Sequence, residues 1–599
     1  METVDVSPQY KATSLSALSP TASHIACLSG ARLQIRSLAT FELDRDIPLP
    51  PSHDLRRSQI AWSPPSTSPT GAPTPPQRLS ALPPRSHRFL VADDDTTRVY
   101  DLRDEKWNAV INNGSGGMGK NINVEFGRDE NEVLVWSDFA SRVIVWSLKT
   151  GRTVEIRDPK FSGKESRGWG YRHCDEEQDV CGRGSVLALL CRSSGVDTLM
   201  LLAPGTYAVI KRVELVTQDA QGIRWSRDGR WLAVWDAASV GYGLSIYTAD
   251  GHLYRTISRE PSNELNEWGI EGLGIKMVQW IPGNEWLAVG GWDRRVRMLS
   301  TKTFAPVVYL DHTTQISIPS ASVYVEQVDA RGFRSFEFAQ QPATPPKAPA
   351  EKNDTGLMKQ GIGIMALNKD GTICATRDDS TPTTVWIWDL CSLQPRTIII
   401  LHSPIKALQW HPSYPSHLLI QSTHDSPTLY LYTANPSSSS TSPTTNSATG
   451  PPSILSLSDS FTKPAGSAPA KWTAGWLNTA ADKKPTMVVG HQQGYIFVWP
   501  EGKDQVLRFE GQEGDESDDS LYDILTGRTP VPPLRDSVKR RSRGSKDSGE
   551  DVDDIRVETV QGLDSMGNFE DTFREKRGAR SRGSRGRSRL DESGLDEMF

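Results

Sequence analysis

Two neighbouring stretches limit what this chain can fold into. Residues 222–251 read GIRWSRDGRWLAVWDAASVGYGLSIYTADG, and residues 274–303 read GIKMVQWIPGNEWLAVGGWDRRVRMLSTKT. In each, an apolar alternation closes on a tryptophan (Trp225, Trp280), and a tight turn follows at Asp228-Gly229 or Pro282-Gly283. A short apolar run comes next, Leu232-Ala233-Val234 or Leu287-Ala288-Val289. A polar turn then leads to a last alternating strand, at 244–247 or 296–299. Period-two alternation assigns the faces and Gly/Asp turns assign the register, so each stretch predicts a small antiparallel meander. One such sheet cannot bury both faces and must stack on copies of itself.

The copies are tracked by an aromatic residue or Leu that closes an alternating strand before a turn. These anchors are Leu18, Trp62, Phe126, Tyr171, Trp225, Trp280, Leu367, Trp410 and Trp476. A second position ends the last alternating strand of a unit: Tyr100-Asp101, Trp146-Ser147, Tyr247-Thr248, Trp388-Asp389, Tyr432-Thr433 and Trp499-Pro500. Eight of the 18 tryptophans occupy these two positions, which random placement would not produce. Anchor spacing runs from 43 residues (Leu367 to Trp410) to 87 (Trp280 to Leu367). Pro/Ser-rich insertions near 64–87, 340–354 and 435–470 account for the excess and read as exposed loops, because they offer too little apolar surface to pack. The expectation is an all-β propeller of about nine units over residues 1–510, favoured as one large ring because no linker divides the anchors. Residues 511–599 alternate acidic and basic blocks with few aromatics, and predict a disordered mixed-charge tail.

Net charge of −6 gives no global argument for a nucleic-acid or anionic-membrane partner. The longest apolar runs, such as 199–203 and 397–401, are far shorter than the roughly 20 residues of a membrane helix. The opening METVDVSPQYKATS lacks a secretory pattern, and six cysteines are too sparse for a disulfide framework. A soluble intracellular protein is expected.

No motif amounts to a catalytic set. NGSGGMGK (113–120) approaches a phosphate loop, but Asn121 stands where Ser or Thr would hold Mg²⁺, and the alternating INVEF follows where a helix is needed. His173, Cys174, Cys181 and Cys191 lack zinc-ligand spacing, and Cys191 lies in an apolar strand. His402 reads as a structural histidine before the 405–410 strand, bonding within its blade to a turn aspartate such as Asp425. The Asp93–Asp95 and Asp378-Asp379 carboxylates fall where hairpin turns are expected. No catalytic, cofactor-binding or metal-ligating residue is assigned, and no cofactor. In the tail, REKRGARSRGSRGRSR (574–589) carries eight basic residues and suits an acidic surface such as RNA or tubulin tails, while KRRSRGSK (539–546) suits an import receptor. SLYDILT (520–526) and MGNFEDTF (566–573) could fold on a partner.

The segment 361–390, GIGIMALNKDGTICATRDDSTPTTVWIWDL, followed by HSPIKALQWHP (402–412), resembles a blade pair of the WRAP-type WD-repeat proteins of centrosomes and fungal spindle pole bodies, named for a gene antisense to a tumour-protein gene. Residues 222–236 and 266–299 resemble the central blades of that family in the same order. The likeness spans about residues 10–501; the Pro/Ser insertions and the Arg-rich tail depart from it. It implies a WD40-type propeller serving as a non-enzymatic scaffold at the spindle pole body or centrosome. There it would anchor microtubule minus ends with a coiled-coil anchoring protein and a minus-end-directed kinesin, in the cytoplasm and, during mitosis, the nucleus. The competing reading is an RNA- or ribosome-associated propeller of translation-initiation type, supported by the nine anchors and the basic tail. A membrane partner is not expected.

Because residues 511–599 contain too little apolar surface to contribute to a core, deleting them should leave the melting temperature unchanged. A fall of many degrees in a thermal scan would show that part of the tail packs on or closes the ring.

Overall fold

The computed structural model describes residues 4–503 apart from 14–15, 67–84, 113–118, 139–141, 164–166, 174–184, 259–273, 349–359, 425, 435–449, 462–470 and 480–482. The chain divides after Arg508 into two units, and every described residue lies in the first. The tail, with its basic clusters and two short islands, therefore lies outside the described residues.

Among the described residues, nine sheets follow one another along the chain, antiparallel but for one pairing in the seventh. Blades 1 to 4 occupy residues 17–48, 59–112, 121–157 and 169–214; blades 5 and 6 occupy 220–258 and 275–311. Blades 7, 8 and 9 occupy 362–400, 405–456 and 473–499. The nine anchors read from the sequence each end the innermost strand of a blade, from Ala17–Leu18 to Thr473–Trp476. Residues 222–251 and 274–303 fall in adjacent blades, as expected.

Each sheet sandwiches its neighbours through its own apolar cluster. Between blades 5 and 6, Ala233, Trp235, Leu244 and Ile246 meet Ile275, Val278, Trp280 and Leu287. The pattern repeats around the ring and ends where it began: Leu477, Val488, Tyr495, Phe497 and Trp499 of blade 9 pack with Ile25 and Cys27 of blade 1. The protein is therefore one closed nine-bladed β-propeller. Closure also uses the backbone. Asp5–Val6 and Tyr10–Lys11 pair antiparallel with Gly494–Trp499, so the start of the chain supplies the outer strand of the last blade.

Three features depart from the sequence reading. The stretch 435–470, expected to be all exposed loop, contains the outer strand of blade 8, Ser453–Ser456. Leu455, Leu457 and Phe461 are buried there, so a few apolar residues suffice once a neighbouring edge is available. The 340–354 stretch is also partly ordered, with Ala343 bridging Ile316. Between blades 6 and 7, an unforeseen hairpin, Ser322–Val328 and Arg334–Phe338, adds to the outside of blade 7. Its first strand pairs in parallel with Gln394–Ile400 and makes that sheet six-stranded. A buried carboxylate pins it: Glu326 accepts from Arg334 Nη1 (2.6 Å), Tyr430 OH (2.7 Å) and the His402 main-chain N–H (2.7 Å).

The anchor tryptophans are linked by one repeated bond. Trp62 Nε1 donates to the Ala17 carbonyl (3.0 Å), Trp225 to Gly170 (3.0 Å) and Trp280 to Arg224 (3.0 Å). Trp410 donates to Ala366 (2.9 Å) and Trp476 to Gln409 (3.0 Å). The acceptor is always the residue just before the anchor of the preceding blade. Trp225, Trp280 and Trp410 are 5%, 3% and 7% exposed. Replacing Trp280 with Phe should keep most of the packing but strand a carbonyl, at about 1–2 kcal/mol. Trp280→Ala should cost about 3–5 kcal/mol and leave the protein poorly soluble. Thermal melting of the two variants checks the order; equal losses would show that the indole bond contributes nothing.

Candidate interaction surface at the channel

The inner strands carry a shared irregularity. In blades 3, 5, 6, 7 and 8 the register between inner and second strand slips at the second inner residue, at Ile122, Gln221, Lys276, Gly363 and Lys406. A bulge re-aims the side chain it carries. Lys276 Nζ reaches across to blade 7, donating to the Gln360 carbonyl (2.9 Å) and pairing with Asp379. Lys406 Nζ reaches blade 9 at the Trp472 carbonyl (2.6 Å). The bulged lysines thus tie each rim to the next blade.

Between the inner strands of blades 5 and 6 lies a cleft of about 650 Å³. Asp219, Gln221, Ala237, Ala238 and Ser239 edge it from blade 5, and Lys276 and Trp292 from blade 6, with Arg167 reaching in from blade 4. Lys276 Nζ sits 4.5 Å from the Trp292 ring centre, a cation–π contact. Asp219 accepts from Lys160 Nζ (2.7 Å), Arg192 Nη1 (2.9 Å) and Gln221 Nε2 (2.9 Å). The walls are apolar, formed by Ile223, Trp235, Ile275, Met277 and Val278. Arg224 completes the lining, with Nη1 3.1 Å from the Val278 carbonyl.

Other polar groups are structural. His53 sits with Nδ1 2.9 Å from Asp93 Oδ2 and Nε2 2.7 Å from Ser58 Oγ, fixing the approach to blade 2. His312 bridges the Arg294 carbonyl (2.9 Å) and Thr376 Oγ1 (2.7 Å), and Trp388 Nε1 donates to the same hydroxyl (2.7 Å). His312 thus joins blade 6 to blade 7. The His402 residue is exposed and is held through its main chain, and Asp425 lies outside the described residues. Asp93 caps its hairpin by accepting from the Asp95 and Thr96 N–H groups (3.0 and 2.6 Å).

The remaining sequence candidates do not converge. Of 113–120 only Gly119 and Lys120 are described; strand Asn121–Phe126 follows directly, and Lys120 faces Asp94 (3.3 Å). His173 is exposed, and Cys174 and Cys181 lie outside the described residues. Cys191 is buried in Leu187–Ser193, and burial pushes its thiol up to about 12. The cleft residues were not singled out from the sequence. The available signal was Arg224, a charged residue next to the anchor tryptophan on a strand otherwise facing the interior.

No protein-family model matches this chain. Curated relatives do. WD repeat-containing protein WRAP73 of Mus musculus is 27% identical over 343 residues, covering 53% of this chain and 68% of that protein. An uncharacterised WD repeat-containing protein of Schizosaccharomyces pombe is 25% identical over 343 residues, covering 56% of this chain and 64% of that one. Among solved structures, the C-terminal WD40 domain of Sif2 aligns at TM-score 0.38 and 10% identity, over 70% of this chain and 95% of that domain. A eukaryotic initiation factor aligns at TM-score 0.40 and 10% identity, over 74% of this chain and 87% of that one. Fold and sequence together define a WD-repeat β-propeller of the scaffold class. Within that class the chain is similar in sequence to the WRAP-type WD-repeat proteins.

One channel-side carboxyl is tuned to neutral pH. Glu125, next to the Phe126 anchor, accepts from Trp136 Nε1 (3.2 Å) and Asn123 Nδ2 (3.1 Å). Burial raises its pKa to about 7 against those bonds. Below about pH 4.5 folded and unfolded chains are both protonated there, and the group costs nothing. Between that point and about pH 7 only the unfolded chain ionises, so stability falls as pH rises, by up to about 3 kcal/mol. Glu125→Gln should match the parent in melting temperature at pH 5 and exceed it at pH 8. A difference that does not change between the two pH values would refute the assignment.

Proposed function

We propose that this protein is a non-enzymatic scaffold at the spindle pole body or centrosome. In this reading it holds microtubule minus ends together with a coiled-coil anchoring protein and a minus-end-directed kinesin. The observation that carries it is the 27% identity over 343 residues to WD repeat-containing protein WRAP73, on a chain that builds the WD-repeat ring. The physical form suits the task. A closed ring of nine sheets is rigid, and its turns fall on two broad faces, so several partners can sit on it at once. The basic 574–589 segment adds a salt-sensitive contact to the acidic tails of tubulin.

A tagged copy should concentrate at spindle poles through mitosis and co-purify with a coiled-coil protein and a minus-end-directed kinesin. Removing 574–589 should weaken microtubule binding without abolishing pole localisation. Diffuse signal in mitosis, with ribosomal proteins as the main co-purifying species, would falsify this reading in favour of a translation-type propeller.

A further inference from the structure

Several shielded cations in this ring are met by carboxylates. Lys160 pairs with Asp197 (2.6 Å) and Asp219 (2.7 Å), and Arg88 with Asp101 (2.9 Å). Arg294 faces Asp378 (3.5 Å), Arg297 faces Asp293 and Lys276 faces Asp379. Arg224 on the channel wall is not so met, and neither is Lys406, whose ammonium goes to the Trp472 carbonyl. Among the described residues the one polar partner of Arg224 is the neutral Val278 carbonyl. Its side chain is open to water in the channel, yet enough protein surrounds it to push the guanidinium below the ordinary arginine range, and no carboxylate opposes that push. An arginine fork offers five donors in a plane, and one carbonyl uses little of that capacity.

We propose that the cleft between blades 5 and 6 receives an extended segment of a partner protein, in which one Asp or Glu lies between apolar residues and its carboxylate docks on Arg224. The cleft has the right composition for such a segment. Met277, Ala238 and Trp292 keep part of their apolar surface uncovered there for the flanking side chains, above the buried Ile223, Trp235, Ile275 and Val278. The volume of about 650 Å³ accommodates a few side chains rather than a folded domain. Nucleic acid fits poorly, because Asp219 edges the cleft, Asp379 lies beside Lys276, and the whole chain carries a net charge of −6. A polyanion would meet carboxylates next to the arginine, whereas a single acid between apolar residues would not. The proposal rests on the scaffold reading only in supposing that a protein partner exists.

The test pans a phage-displayed nonapeptide library on the full chain, then measures the enriched peptides by fluorescence anisotropy. Enrichment of an acidic residue flanked by apolar ones is expected. Arg224→Met should weaken binding at least about tenfold, as should a Glu→Gln change in the peptide, and Arg224→Lys should retain part of the affinity. Arg224→Met should melt at or above the parent temperature, since it removes an uncompensated guanidinium. Several results would overturn the proposal: no acidic motif, binding indifferent to Arg224→Met, or a large melting loss in both variants, which would make Arg224 structural. Tighter, Arg224-dependent binding of a single-stranded oligonucleotide would assign the cleft to nucleic acid instead. Because the measurement uses the purified chain, diffuse localisation in cells would defeat the pole reading and leave this one standing.

Discussion

The ring depends on burial between sheets that cannot stand alone. A four-stranded meander has two apolar faces and no core of its own, so every blade owes its stability to both neighbours. At the narrow inner edge, where strands converge on the channel, main-chain groups are hardest to satisfy. There the indole of one blade donates to a carbonyl of the blade before it, at five of the nine junctions. That bond explains why tryptophan recurs at the anchor. It has the bulk to fill the gap between diverging sheets and an N–H donor on its five-membered ring. Where the anchor is Tyr171, its hydroxyl instead joins Tyr207 (2.9 Å), which donates on to Glu132 (2.5 Å).

Once the sheets are closed into a ring, polar groups trapped between them must find partners inside it. His53 with Asp93, His312 with Thr376 and Trp388, and Glu326 with Arg334 and Tyr430 are three solutions, each joining residues distant in the chain. Such groups rigidify the ring because leaving any one unpaired would cost more than the bond itself contributes. Against that background Arg224 and Glu125 differ. They occupy the same position, one residue before the anchor, in blades 5 and 3. One is a cation with a neutral partner, and the other a carboxyl kept from ionising until about pH 7. A rigid wall of matched charges makes its few mismatched ones the natural places for a partner to act.

The anchors, the turns and the number of units were legible in the sequence because they are local. Alternation with period two, a closing aromatic and a Gly/Asp turn lie within about a dozen residues, and the inner-strand bond needs a donor only at that point. The outer strand Ser453–Ser456 was hidden because SILS carries too little pattern to announce itself. It becomes a strand only because Thr428–Thr433 offers it an unpaired edge. The hairpin from Ser322 was hidden for a different reason: its first strand pairs in parallel with residues more than seventy positions later, a partnership no local window contains.

The sequence by itself therefore determined that this chain builds repeated antiparallel sheets, where each begins its inner strand, and which family it resembles. Closure was decided only in three dimensions, since strand Asp5–Val6 must meet Gly494–Trp499 across almost the whole described chain. The same holds for the cleft. Arg224 is one more alternating residue in GIRW until the neighbouring blade places Val278 beside it and leaves its carboxylate-binding face open. Local pattern sets which face a side chain takes. Only the packing of one sheet on the next decides whether that face is met by a partner within the fold.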